Sequence, residues 1–85
     1  MPAPGPLLAL PNIGPAATRA LGAVGIDTPE AFLALGAREA WRRVRAMDPE
    51  TACGSLALAF AGAQRGVRWM GLPREEMRPV SAWVR

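Results

Sequence analysis

Prolines and glycines divide this chain into short segments, and their positions constrain its fold more than any other feature of the sequence. Residues 10–15 read Leu-Pro-Asn-Ile-Gly-Pro, a stretch of small residues then ends at Gly25, and Thr28 and Pro29 follow almost at once. Proline suits the first turn of a helix, where its missing N–H costs nothing, and glycine suits the position just after a helix end. The spacing therefore predicts a tight turn, a short helix over about 15–24 and a second helix that begins at Pro29.

Thr28 and Asp48 supply the clearest signals for helix starts. Each is followed by proline and then glutamate, which is the order of an N-cap, a first helical residue and an acid near the positive helix end. Thr28 therefore predicts a second helix that ends at Gly36, and a third helix is predicted over about 37–47. Asp48 predicts a fourth and longest helix over about 49–66.

The end of the chain and the absence of strand patterns complete the predicted fold. Residues 73–77 predict a short final turn that stops before Pro79, because the residue before a proline avoids the helical conformation. No segment alternates apolar and polar residues with β-branched enrichment, so we predict an all-α domain of four to five helices with a helix–hairpin–helix-like unit. The predicted organisation is a flexible lead over 1–6, a helical domain over 7–78 and a tail over 79–85.

Apolar side chains at helical spacing predict where the core lies. They recur three and four residues apart, which places them on one face of each helix. Cys53 lies in an apolar stretch and is predicted to pack inside the domain. The predicted core residues are Ala17, Leu21, Val24, Phe32, Leu35, Ala37, Trp41, Val44, Ala52, Leu56, Ala59, Phe60, Ala63, Val67, Trp69 and Leu72.

Composition argues against several classes of function. The chain has one cysteine and no histidine, so it can form neither an internal disulfide nor a His/Cys zinc site. The acids stand mostly at predicted helix starts, the serines have no neighbouring base, and no phosphate-cradling glycine loop is present. We expect no enzyme, no cofactor and no metal. All ten basic residues are arginine, but the net charge of +3 permits nucleic-acid binding without requiring it.

The apolar stretches are too short for a membrane protein. The longest runs over residues 56–63, whereas about 20 residues are needed to span a bilayer. The run over 7–10 is too short for the core of a signal peptide and is broken by Pro11. We therefore expect a cytoplasmic protein.

Five segments of the chain carry a family resemblance. They are LPNIGP over 10–15, GIDT over 25–28, ALGA over 34–37, EAWRR over 39–43 and GAQRGVRW over 62–69. Taken in this order, they resemble the C-terminal domain of the TfoX/Sxy family, whose members regulate bacterial competence and DNA transformation. The resemblance covers roughly residues 7–77. It implies a compact helical fold related to helix–hairpin–helix and SAM-like domains, and no known enzymatic activity.

The chain departs from the pattern of this family in two respects. The family's C-terminal domain often follows an N-terminal TfoX domain, which this chain lacks, so we expect it to act alone or with a separately encoded partner domain. Leu33 stands where the family tends to have a polar residue, and Ala61 stands where it tends to have an acid. Drift in an Ala/Leu-rich chain is the preferred explanation of these two apolar positions, and contact with a partner is the alternative.

The turn at Asn12, Ile13 and Gly14 is the first candidate site. In DNA-binding hairpins, glycines let the backbone approach a phosphate while the next helix offers its N-terminal amides. Here Asn12 replaces one of the usual glycines, and Pro15 removes one donor. A purely structural turn is the preferred interpretation, since asparagine tolerates the left-handed conformation that such a turn needs.

A row of arginines on the third helix is the second candidate site. Arg38, Arg42 and Arg45 are spaced to lie on one side of that helix, where they could follow a nucleic-acid backbone or contact an acidic partner. Arg65 and Arg68 would extend the row if the end of the fourth helix lay nearby. An ordinary solvated face opposite the core is the preferred interpretation of this row.

Leu33 and Trp83 are the candidate protein contacts, one on the second helix and one in the tail. Together with the family resemblance they predict a non-enzymatic interaction module that acts by protein–protein contact. The expected partner is a TfoX N-terminal domain or a second copy of this chain. The alternative function is weak, sequence-independent nucleic-acid binding through the Asn12 turn and the arginine row.

Overall fold

The structure is a computed structural model that describes residue 7 and residues 9–83 of the chain. The helices are α1 (Pro15–Ala23), α2 (Pro29–Leu35), α3 (Ala37–Met47), α4 (Gly54–Arg65), a 3-10 turn (Trp69–Gly71) and α5 (Arg74–Trp83). These described ranges contain no strand, and the predicted all-helical fold is confirmed. The predicted lead over 1–6 lies outside the described residues.

Local sequence signals account for the first three helices. Thr28 caps α2 as predicted, since its Oγ1 accepts a hydrogen bond from the Ala31 N–H at 3.1 Å. Gly25 follows α1 with φ +84°, and Gly36 joins α2 to α3 with φ +93°. Glycine adopts both left-handed conformations without the clash that a Cβ would cause. The predicted ends of these helices are therefore confirmed to within a residue.

The centre of the domain is the packing of α3 against α4, with aromatic side chains at its middle. Phe32 meets Phe60 edge to face, with ring centroids 5.4 Å apart. Trp41 is fully buried, and its indole N–H donates to the Cys53 carbonyl at 3.3 Å. Leu21 and Val44 are also buried, so the predicted core of the first three helices is confirmed at its main positions.

The predicted start of α4 is wrong by five residues. The helix begins at Gly54, because Asp48 caps a separate turn instead of a helix. Its carboxylate accepts from the Thr51 hydroxyl at 2.6 Å and from the Thr51 N–H at 3.4 Å. Such local side-chain bonds offer the backbone an alternative to a continuous helix. Cys53 is the N-cap of α4 and is exposed, which also contradicts its predicted burial.

The core stripe predicted along α4 does not continue past the end of the helix. Gly66 ends α4 in the left-handed conformation, with φ +77°, and redirects the chain. Val67 and Trp69, both predicted as core residues, are therefore 37% and 39% exposed. Leu72 is buried as predicted.

The last helix is longer than predicted and passes through a proline. We predicted a turn that stops before Pro79, but α5 continues to Trp83. A proline inside a helix removes one backbone hydrogen bond. Packing compensates for this loss, because Val80 is buried and the Trp83 ring lies against Trp41 with centroids 6.3 Å apart.

Candidate interaction surfaces

The Asn12 turn is tied to the end of α4 by its own side chain. Asn12 has φ +70°, the left-handed conformation expected from the sequence. Its Nδ2 donates to the carbonyls of Val67 at 2.9 Å and Ala59 at 3.3 Å, while its Oδ1 accepts from the Trp69 N–H at 3.1 Å. A single amide therefore fixes the turn and the connection after α4 against each other. Sequence reasoning missed this role, since the partners lie 47–57 residues away.

Gly62 makes room for this arrangement. A Cβ at this buried position would lie 2.6 Å from Asn12 Nδ2 and 2.8 Å from the Val67 carbonyl oxygen. Real side chains do not approach other atoms so closely. Gly62 is therefore the residue in α4 that lets the turn and the following connection approach the helix. Its place at the start of the GAQRGVRW segment was visible in the sequence, but its contact was not.

The remaining residues of the turn divide between the core and the surface. Ile13 is buried, whereas Gly14 is the N-cap of α1 and makes no side-chain capping bond. The first hydrogen bond of the helix runs from the Thr18 N–H to the Gly14 carbonyl at 2.9 Å. Arg68 borders a depression of about 490 Å³ together with the turn. The structure thus places Arg68 beside the Asn12 turn.

The arginine row on α3 is exposed, but two of its members contact other groups. Arg42 pairs with Glu39 at 3.0 Å, and Arg43 pairs with the same carboxylate at 3.4 Å, as the i, i+4 spacing of Glu39 and Arg43 allows. The Arg45 guanidinium lies 5.4 Å from the Trp41 ring centroid and donates to a carbonyl on α5 at 3.4 Å. These contacts reduce the positive charge that the row presents to solvent.

The N-terminus of α3 is occupied by a side chain of the domain itself. The Ala37 N–H donates to Gln64 Oε1 at 2.5 Å. Arg65, predicted from the sequence as a conditional extension of the arginine row, forms an ion pair with Glu76 on α5. The positive end of α3 and the cation nearest the end of α4 are thus both engaged within the fold.

The two candidate protein contacts differ in exposure. Leu33 on α2 is 46% exposed, as a contact residue should be. Trp83 is half-buried between α5 and α3, where its ring packs on Trp41 and its carbonyl accepts from Arg45. Most of the Trp83 side chain therefore serves to dock α5.

The segment 67–70 is the surface that sequence reasoning missed. It contains three of the exposed large apolar side chains, namely Val67, Trp69 and Met70, and Met70 is 70% exposed. The only signal in the sequence was the concentration of apolar residues after Gly66. Because they continued the stripe of α4, they were assigned to the core.

A groove between α1 and α4 lies next to this segment. This α1–α4 groove has a volume of about 440 Å³ and is lined mainly by apolar groups, among them Ala16, Leu56 and Trp69. Thr51 precedes α4 and Arg68 follows it, so these two lining residues stand at opposite ends of the groove along this helix. Thr51 also lies beside Asp48, to which its hydroxyl donates. The Thr51 hydroxyl stabilises the Asp48 carboxylate and lowers its pKa below the ordinary 3.8.

Metal ligation and membrane insertion find no support in the part of the chain that the structure describes. Within it, no group of three or more His, Cys, Asp or Glu side chains could hold a metal ion. No helix over the same residues is long and apolar enough to cross a bilayer.

Comparison with known proteins supplies the family. The TfoX C-terminal domain family matches residues 4–84. A crystal structure of an uncharacterized protein from Listeria monocytogenes has the same fold, with a TM-score of 0.84 and 35% sequence identity. The similarity covers 88% of this chain and 84% of that one. No curated protein matches. With nearly its whole length matched, the chain belongs to the TfoX C-terminal domain family.

Proposed function

We propose that the chain is a non-enzymatic, cytoplasmic interaction module that acts by contact with a protein partner. The observation that carries the proposal is the exposure of large apolar side chains, among them Leu33 on α2 and the group formed by Val67, Trp69 and Met70. Grouped exposed apolar side chains are typical of interaction sites. Family membership supports a regulatory role, and we assign it to the control of competence for DNA transformation.

Leu33 provides the test of partner contact. The chain is purified with an affinity tag together with a TfoX N-terminal domain from the same bacterium, and we expect the two to co-purify. Leu33→Arg should abolish this, because it places a charge in an apolar contact. Ala34→Arg, which adds the same charge at the neighbouring exposed position of α2, is the matched control. Equal retention of the partner by both variants would contradict a contact at Leu33.

The competence role has a separate test. Deleting the gene in its source bacterium should lower the frequency of transformation, and the wild-type gene should restore it. A Leu33→Arg gene should fail to restore it, whereas the Ala34→Arg gene should succeed. Unchanged transformation after deletion would remove the competence role and leave the contact proposal to the co-purification test.

Nucleic-acid binding is the second candidate function. The position of Arg68 beside the Asn12 turn favours it, since the turn also leads into the N-terminus of α1. We expect binding to duplex DNA to be weak at physiological salt, because Arg42 and Arg45 are engaged within the domain. The affinity should fall steeply with salt, by about 0.9 log units in K per log unit of salt for each neutralised phosphate.

Two sets of variants locate any binding to DNA. Arg38, Arg42 and Arg45 are changed together to Gln, and Arg68→Gln is made separately, with helicity checked by circular dichroism. A lower salt slope in either variant identifies the arginines that contact phosphate. Tight binding at physiological salt that is lost in the triple variant would make nucleic-acid binding the primary function.

A further inference from the structure

The α1–α4 groove and the segment 67–70 lie side by side, one concave and one protruding. Ala16, Leu56 and Ala59 contribute to the lining of the groove, and Trp69 forms part of its wall. Met70 follows Trp69 on the same 3-10 turn and is the most exposed large apolar residue of the described chain. A groove beside a protruding apolar side chain is self-complementary, because a two-fold axis can place the protrusion of each copy in the groove of the other.

One end of the groove is basic and the other is acidic, and this difference favours a binding partner with the complementary arrangement of charges. Arg68 marks the basic end. At the other end, Thr51 donates to Asp48 at 2.6 Å and Glu50 is exposed beside it.

The polarity of the groove favours a second copy in an antiparallel arrangement. In that arrangement the basic end of each copy faces the acidic end of the other, and both contacts are attractive. A parallel arrangement would bring like charges together. A uniformly acidic peptide or a nucleic acid would meet one repulsive end, which disfavours wrong partners.

We infer that this face is the contact of a two-fold symmetric homodimer. Met70 of each copy lies in the α1–α4 groove of the other, and Arg68 pairs across the contact with the acidic end formed by Asp48 and Glu50. The inference rests on the proposed function, which it deepens by naming a second copy as a protein partner. It places the contact between copies at the connection after α4, apart from the Leu33 contact proposed for the TfoX N-terminal domain.

Sedimentation equilibrium over a wide range of protein concentration tests the dimer. We expect the average mass to rise from 9.0 kDa toward twice that value. Cys53 is the single cysteine of the chain, lines the groove and is exposed, so its reaction with a thiol reagent should slow over the same concentration range. A mass that stays at that of one chain at every concentration overturns the inference.

Met70→Glu locates the contact. It should weaken dimerisation by at least about tenfold, as expected for a central contact residue. Leu33→Glu is the matched control, because it places the same charge at another exposed apolar position, and it should leave the dimer unchanged. If Leu33→Glu dissociates the dimer and Met70→Glu does not, the contact lies on α2 and the inference is wrong.

A charge exchange tests the antiparallel arrangement. Arg68→Glu and Glu50→Arg should each weaken the dimer, and the double variant R68E/E50R should restore it. The pairing would be overturned if the single variants dimerised as tightly as wild type, or if the double variant dimerised more weakly than either single variant. A chain that stays monomeric but binds the TfoX N-terminal domain would refute the dimer alone. A chain that neither dimerises nor binds that domain would refute the proposed function as well.

Discussion

The α3–α4 core and the segment 67–70 each contain a tryptophan, but only the core buries it. Trp41 is 0% exposed and its indole N–H bonds to the Cys53 carbonyl. The Trp69 side chain is partly exposed. What fixes this residue is its backbone N–H, which donates a hydrogen bond to Asn12 Oδ1. Helical spacing therefore predicts burial only while the helix continues. Beyond Gly66, hydrogen bonds from a distant side chain decide which way the tryptophan faces.

The largest expected effect is in the core. Phe60→Ala should lower the free energy of unfolding by about 3–5 kcal/mol, because it removes a buried ring that packs edge to face on Phe32. Urea unfolding followed by circular dichroism measures the change. Met70→Ala is the control in segment 67–70. At protein concentrations low enough to keep the chain monomeric, it should lie within about 0.5 kcal/mol of wild type, as surface substitutions usually do. If both variants lost the same free energy of unfolding, the core and segment 67–70 would not differ in their contribution to stability.

Gly62 should give the next largest effect, because it lies where the two regions meet. Gly62→Ala places a Cβ 2.6 Å from Asn12 Nδ2 and 2.8 Å from the Val67 carbonyl oxygen, so the backbone must shift. We expect a loss of about 1–3 kcal/mol, the range for overpacking. Gly54→Ala is the matched control, since nothing lies within 4 Å of its added Cβ. A neutral Gly62→Ala would show that the connection after α4 is held loosely.

Two substitutions at Asn12 distinguish the stability due to its hydrogen bonds from the stability due to its backbone conformation. Asn12→Gly keeps the left-handed conformation but removes three hydrogen bonds, and should cost about 1–2 kcal/mol. Asn12→Ala should cost about 1 kcal/mol more, because alanine is strained at φ +70°. Thermal and urea unfolding measure the stability of both variants. Equal stability of the two variants would mean that the backbone strain is relieved elsewhere.

The smallest expected effect concerns the Asp48 turn, which joins the two core helices. The Thr51 hydroxyl lowers the pKa of Asp48 in the folded state, so the turn adds stability above the ordinary value of 3.8 and loses it as the pH falls through the folded value. Unfolding measured from about pH 6 down to about pH 3 should show this slope. Asp48→Asn and Thr51→Val should both reduce it. A slope unchanged in Thr51→Val would contradict the assigned cause.

Much of the fold could be predicted from the residues because its signals are local. Thr28, Gly25 and Gly36 act through their own backbone and the next turn, so the ends of the first three helices follow from short-range chemistry. The same kind of reasoning failed at Asp48, whose side chain can cap either a helix or an isolated turn. It failed again at Pro79, where the packing of Val80 on the core outweighs the lost backbone bond.

The candidate surfaces were less predictable, because exposure depends on what the rest of the chain covers. Leu33 was expected on the surface and lies there, and Trp83 was expected in a tail but packs on Trp41. The α1–α4 groove combines residues of the Asn12 turn and α1 with residues of α4 and of the segments on either side of it. No pattern within one segment could reveal it.

The amino-acid sequence by itself determined the helical class, the family, the breaks between the first helices and the aromatic centre, since propensity, capping and periodicity act over a few residues. Only the tertiary structure decided that Asn12 would bind the end of α4, that Gly62 would allow the approach, and that segment 67–70 would face outward. The physical reason is range. A hydrogen bond between residues about fifty positions apart forms only after helices have packed, and the position of the connection after α4 depends on that bond.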